Sequence, residues 1–212
     1  MSAQPASLEQ CQAALTANGF DVFVARDPAQ ARQIFFAKIL PSVEANLVSW
    51  ADSMTMEATG VLNELLANPK IKMIKTFEPG VPREEIIERR RQALLADLFL
   101  TGSNAITACG KLINLDMIGN RTGGISFGPK KVVLFVGQNK IVPDLASAID
   151  RIRNHAAPLN AKRHDFPTPC AKTGRCHDCS SPKRICNTWS IIDKCFPQGR
   201  IKVVLIEGAF GL

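Results

Sequence analysis

The sequence predicts an α/β fold built on a largely parallel sheet, in a single domain. Three observations carry that reading. Short apolar runs alternate with helical patterns through most of the chain. Residues 131–136 are apolar throughout after the first, as a strand buried on both faces requires. A composition of 46% hydrophobic and 21% charged residues over 212 positions supports one sizeable core.

The elements follow in order. Ser7 reads as an N-cap with Gln10 three residues on; Leu8, Cys11 and Leu15 then share one helical face, and Gly19 ends the helix. Residues 20–25 form a short apolar strand. Asp27 and Pro28 open a second helix as cap and first-turn proline. Residues 45–50 read as a strand. Residues 55–68 read as one helix with Met56, Leu62, Leu65 and Leu66 on its apolar face. Residues 71–77 alternate as a strand. Residues 82–95 are helical, with Glu84, Glu85 and Glu88 early and Arg89, Arg90 and Arg91 late, the order the helix dipole favours. Residues 98–101 and 111–115 are strands around a turn, 143–153 a helix capped near Val142, and 201–206 a last β-branched strand. Residues 158–199 show little periodicity and are too long for an idle loop. The organisation expected is an α/β domain over 1–157 and 200–212, with 158–199 a basic, cysteine-rich insertion in the same domain.

The net charge of +7 lies entirely in the last third: residues 1–150 hold 15 basic and 15 acidic residues, and 151–212 hold 11 and 4. A basic patch suits nucleic acid or an acidic partner. Nucleic acid is disfavoured because only Phe166, Trp189 and Phe196 are there to stack on bases. The opening MSAQPASLEQ lacks the regions of a secretory leader, and no apolar run reaches membrane-spanning length. A cytoplasmic location and no membrane span are expected.

Four of the seven cysteines stand as C-x₅-C-x₂-C-x₆-C: Cys170, Cys176, Cys179 and Cys186. In a reducing compartment such a cluster points to a metal or redox site rather than disulfides. The central C-x₂-C is a metal-knuckle spacing. The outer gaps match neither a zinc ribbon nor the bacterial ferredoxin run, so a 4Fe-4S cluster and Zn both stand as cofactors. The bland alternative is four thiols packed or free on a loop. Pro167, Pro169 and Pro182 stiffen the segment. His177 is a substitute ligand. Lys172, Arg175, Lys183 and Arg184 are expected to offset the thiolate charge and keep the sulfurs ionised. Cys11 reads as core, Cys109 and Cys195 as structural or as reserve ligands.

Three polar, glycine-bearing turns are candidate anion sites. LTGSNAIT at 100–107 follows an apolar strand; Gly102 permits a positive φ, and Ser103, Asn104 and Thr107 offer polar groups. DMIGNRTGG at 116–124 supplies Arg121 for a bidentate contact. SMTMEATG at 53–60 places Ser53 and Thr55 at a helix start. Each alone is an ordinary turn or cap. No G-x-S-x-G or P-loop is present, and His155 and His164 have no partner at a catalytic spacing.

TGSNAIT, INLDMIGNR, GPKKVVLFVGQNKIVPDLASAIDRIRNHAAPLNAKR, TPCAKTGRCHDC with its following ICN, and RIKVVLIEGAFG occur in that order. Over about residues 8–212 the chain resembles the lactate-utilisation (LUD) domain family, in its branch with a C-terminal four-cysteine segment. The resemblance implies a Rossmann-like three-layer sandwich similar to ribose-5-phosphate isomerase and the CoA transferases. It implies a subunit of an iron–sulfur system oxidising lactate to pyruvate, with a small anionic metabolite and iron–sulfur lactate-oxidation subunits as partners. By position it implies ligand loops at Ser53 and Thr55, at Gly102, Ser103 and Asn104, and at Asn120 and Arg121. Two alternatives stand beside it. One is a sugar-phosphate isomerase or CoA-transferase-like enzyme, for which Glu57 and Asp116 are the acids in these loops. The other is a basic binding module for an acidic partner.

Overall fold

The computed structural model describes residues 7–212; residues 1–6, part of the stretch read for a leader, lie outside it. The strands are β1 Asp21–Ala25, β2 Leu47–Trp50, β3 Lys72–Ile74, β4 Leu98–Thr101, β5 Ala105–Thr107, β6 Leu112–Asp116, β7 Lys131–Gly137, β8 Ile141–Val142, β9 Thr188–Ile192 and β10 Ile201–Ile206. The α-helices are α1 Leu8–Ala17, α2 Pro28–Ile34, α3 Met54–Thr59, α4 Val61–Ala67, α5 Arg83–Gln92, α6 Asn120–Ser126, α7 Leu145–Arg151, α8 Ala157–Arg163 and α9 Pro169–Thr173. No helix among the described residues is long and apolar enough to cross a membrane.

The central sheet runs β1-β10-β7-β4-β2-β3, and every neighbouring pair in it is parallel. Its middle strands are apolar on both faces because both are covered. Val132, Leu134 and Val136 of β7 pack with Cys11 and Leu15 of α1 and with Phe99. Val133 and Phe135 of the same strand point the other way, to Phe35, Ile39, Met56 and Leu65. Strand β10 divides its side chains alike, Val203 and Leu205 against Val204 and Ile206. The result is a mainly parallel central sheet flanked by helices, a Rossmann-like three-layer α/β sandwich, as expected. A second, mixed sheet runs β8-β5-β6-β9, with β5–β6 and β6–β9 antiparallel. Its Ile106 and Leu112 join the first core layer, while α7 covers its other side through Ala148 and Ile152.

The caps read from sequence form as hydrogen bonds. Ser7 Oγ accepts from Gln10 N–H at 3.0 Å and Asp27 Oδ1 from Gln30 N–H at 2.7 Å. Four expectations need correction. The helix read over 55–68 is two, because Gly60 takes a left-handed conformation (φ 72°) that closes α3 and opens α4. In the stretch at 116–124 the expected turn is confined to residues 117–119, between the end of β6 and helix α6, which begins at Asn120. The helix capped near Val142 is capped by Asp144 and runs on through a π-turn, Ile152–Ala156, into α8. Residues 158–199 are not all loop: α8 and α9 occupy their start, and β9 bonds along β6.

Helix α6 lies close against β4. A Cβ on Gly124 would fall 2.7 Å from Phe99 Cε1, a buried ring, whereas one on Gly123 meets nothing nearer than 3.8 Å. Gly124→Ala is therefore expected to destabilise the fold by about 1–3 kcal/mol through overpacking, and Gly123→Ala to be tolerated. Chemical denaturation of the two variants beside the parent checks this.

Candidate functional site

Three adjacent parallel strands, β2, β4 and β7, end at the same edge of the central sheet, and the chain after each enters one cavity of about 440 Å³. Ligands of open α/β sheets bind in this place, beyond the carboxyl ends of the strands, and the volume suits a small molecule. Asp52 and Ser53 come from the loop after β2, Gly102, Ser103 and Asn104 from that after β4, and Lys140 from the turn after β7. Asp116, Asn120 and Arg121 enter from β6 and α6, Arg90 and Phe77 from the α5 side, and Arg163, His164 and Phe166 from the end of α8.

Six of the seven ligand-loop residues expected from sequence thus line one cavity: Ser53, Gly102, Ser103, Asn104, Asn120 and Arg121. Thr55 lies behind the wall, its hydroxyl donating to the Phe210 carbonyl at 2.8 Å. The roles differ from those expected. Gly102 does not use a positive φ. It is needed for close approach, because an added Cβ would lie 2.6 Å from Ser53 Oγ and 3.2 Å from the Phe135 carbonyl. Ser103 is buried and donates to the Ala105 carbonyl at 3.0 Å.

Arg121 has no N–H left for a bidentate anion contact. Nε donates to Asp116 Oδ1 (3.1 Å), Nη1 to Asn114 Oδ1 (2.7 Å) and the Gly102 carbonyl (3.2 Å), and Nη2 to Asn104 Oδ1 (2.6 Å) and the Leu115 carbonyl (3.0 Å). Five donors meet five protein acceptors, so the residue shapes the wall and leaves ligand contact to others. Asp116, the other half of this pair, also accepts from Thr122 N–H at 2.7 Å. The pair is buried, 11% and 8% exposed.

The groups that face the cavity with capacity to spare were not singled out from sequence. His164 Nε2 lies 3.0 Å from Asp52 Oδ2, across 112 residues of chain. A carboxylate only accepts, so this nitrogen carries a proton. Arg163 bonds the same Asp52 oxygen and Asn160 Oδ1. Arg90 stacks 4.8 Å over the Phe77 ring, and its buried Nε has no partner. Lys140 is 5% exposed, and Nζ donates to Thr55 Oγ1 at 2.9 Å. Burial, followed by the charges of Arg151 and Arg121, pushes its amine down to about 7. No local spacing reveals the Asp52–His164 contact. Lys140 did leave a signal, as a lone cation directly between two apolar strands. Glu57 is exposed on α3 and does not line the cavity, which removes one of the two acids considered for transferase chemistry.

Cys170, Cys176, Cys179 and Cys186 all line a second, smaller cavity of about 20 Å³, room for one water, with Arg153, Thr168, Arg184 and Trp189. All seven cysteines are free thiols, and Cys11 and Cys195 are buried. Among the described residues no three His, Cys, Asp or Glu side chains converge closely enough to hold one metal ion. Asp178 N–H donates to Cys176 Sγ at 3.3 Å, and Thr168 Oγ1 lies 3.3 Å from Cys170 Sγ. Arg184 ties the segment together, donating to the carbonyls of Cys179 (2.7 Å) and Cys186 (3.0 Å) and to Asp178 Oδ1 (2.9 Å). The other three cations, Lys172, Arg175 and Lys183, are exposed. Burial pushes the Cys186 thiol up and outweighs the opposing pull of Arg184. His177 is bonded to Thr173 Oγ1 at 2.7 Å and lies outside this lining.

Leu115, Ala157 and Ile185 line both cavities, so a single layer of side chains separates the thiols from the larger space. The sequence profile of the LUD domain matches residues 8–206. The chain belongs to the LUD domain family. A crystal structure of a DUF162 family protein from Deinococcus radiodurans is similar over 95% of this chain and 96% of its own, at 14% identity and a TM-score of 0.49. No curated protein matches this LUD domain.

Two predictions test the wall of this LUD domain. Arg121→Ala leaves Asp116 buried without its partner and is expected to cost about 3–5 kcal/mol in chemical denaturation, with Arg121→Lys recovering little because an ammonium cannot reproduce the fork. The Lys140 amine is lowered in the fold from an unfolded value of about 10.4. Between the two values the unfolded chain binds more protons, so this residue's contribution to stability rises with pH above 7. Lys140→Met is expected to exceed the parent in stability at pH 7 by about 2–4 kcal/mol, with the gap closing towards pH 10. Melting curves of both proteins across that range check it.

Proposed function

We propose that this LUD domain takes part in organic-acid oxidation, lactate to pyruvate, binding a small anionic metabolite in the larger cavity and an iron–sulfur cluster on Cys170, Cys176, Cys179 and Cys186. The observation that carries the reading is the shared wall of Leu115, Ala157 and Ile185, which sets the four thiols one side chain away from the metabolite space. A bound four-iron cluster supplies one-electron transfer. Four thiols facing one cavity without converging on a single-ion position favour a multi-iron group over Zn. The N–H bond to the Cys176 sulfur suits a thiolate ligand. The loop that closes this cavity is half-exposed and irregular between α9 and β9.

In the larger cavity, Arg90 is a guanidinium with an unengaged N–H to orient a carboxylate. His164, held by Asp52, offers Nδ1 as the proton acceptor for a substrate hydroxyl. The exposed Lys172, Arg175 and Lys183 offer a basic face to an acidic redox partner, such as the iron–sulfur subunits of a lactate-oxidising assembly. Seven free thiols suit a reducing, cytoplasmic setting.

Anaerobic purification followed by iron, sulfide and zinc analysis tests the cluster. A brown protein with visible absorption that bleaches on reduction is expected, and Cys179→Ser is expected to lose most of its iron. Stoichiometric zinc, or no metal after reconstitution, overturns that part. For the metabolite site, lactate or pyruvate is expected to raise the melting temperature, and Arg90→Ala to weaken that binding about 10- to 100-fold. Unchanged melting with both acids counts against it.

A further inference from the structure

Lys140 lies on the short turn Gln138–Lys140 that follows β7, with its side chain buried at the wall of the larger cavity. Its ammonium would have three hydrogens to place, yet among the described residues Nζ has one partner, the neutral hydroxyl of Thr55. That hydroxyl is oriented by its own bond to the Phe210 carbonyl, so its lone pair meets the amine. Gly211 closes the other side: an added Cβ there would stand 2.6 Å from Thr55 Oγ1 and 3.1 Å from Lys140 Nζ. The buried carboxylate of this wall, Asp116, is already taken by Arg121 and Thr122 N–H. A lysine that serves only to hold the fold together pairs with a carboxylate or several carbonyls. This one is fixed in position, dry and without a counter-ion, which are the conditions that make an amine a nucleophile.

We propose that Lys140 condenses with the carbonyl of a 2-oxo acid held in the cavity, forming a reversible imine. The inference rests on the reading of this cavity as the site of an anionic metabolite, and it names the chemical class. The nitrogen lone pair adds to the carbonyl carbon, a C–N bond forms, and the carbonyl oxygen takes up a proton. The resulting carbinolamine releases that oxygen as water, its second proton coming from the nitrogen, and a C=N bond remains. No oxidant or reductant is consumed, and addition of water reverses the step. The carboxylate of such an acid has Arg90 to face. A 2-hydroxy acid has no carbonyl beside its carboxylate and does not condense, so the amine separates the oxidised from the reduced member of such a pair.

Trapping tests this on the full chain. Pyruvate or glyoxylate is added with cyanoborohydride, which reduces an imine to a stable secondary amine, and the product is mapped by peptide mass spectrometry. One adduct per chain is expected, on the peptide bearing Lys140, absent with lactate and absent from Lys140→Arg. If that variant does not fold, the map of the parent decides. Calorimetric binding of pyruvate without an adduct at Lys140 overturns the imine and leaves the metabolite site standing. Adducts scattered over the surface lysines, as in the unfolded chain, overturn it as well. Neither binding nor adduct overturns both readings.

Discussion

The cavity depends on one buried guanidinium. Arg121 reaches from the first turn of α6 to the loop after β4 and to three consecutive residues of β6. The helix and the loop lie outside both sheets, and the β5–β6 ladder stops at Ala105 and Ile113, just short of this point. A planar fork with five donors can fix the position of five acceptors at once, which no apolar contact does. Asn104 and Asn114 add cross-links of their own, Asn104 Oδ1 to Leu115 N–H and Asn114 Oδ1 to Asn104 N–H. The wall of the larger cavity is therefore a dense polar network in which every Arg121 donor is engaged, while among the described residues the buried Asn114 Nδ2 is left without a partner.

Against that rigid wall stand the groups that the fold leaves under-engaged. Among the described residues Lys140 is buried with one neutral partner, Arg90 has an unpartnered Nε, and Asp52 and His164 meet in the lining of the same cavity. An unpaired buried amine costs stability, and burial that is not compensated by pairing is characteristic of sites built for chemistry. The α/β sandwich tolerates the cost because its covered central strands supply a large apolar core.

The closeness of the two cavities gives the arrangement its functional sense. The cysteine segment is stapled by Arg184 and lies against the second sheet, since β9, which follows it, bonds to β6. β6 in turn carries Leu115 in the shared wall and Asp116 in the Arg121 network.

The sequence by itself determined the class of the fold, the two helix caps at Ser7 and Asp27, the buried strand β7 and the last strand β10. All of these are local: a periodicity or a cap is written in a few consecutive residues. It also marked the four cysteines as a group, since they stand within one short segment. It did not determine what the loop residues do. Arg121 and Ser103 read as ligand groups, and only the tertiary structure showed their hydrogen bonds closing on the protein. Nor did it reveal Asp52 with His164, the second sheet, or the wall shared by the two cavities. Those rest on pairings between residues up to 112 positions apart, and it is packing that decides which distant side chains meet, which polar atoms are satisfied and which amine is left dry.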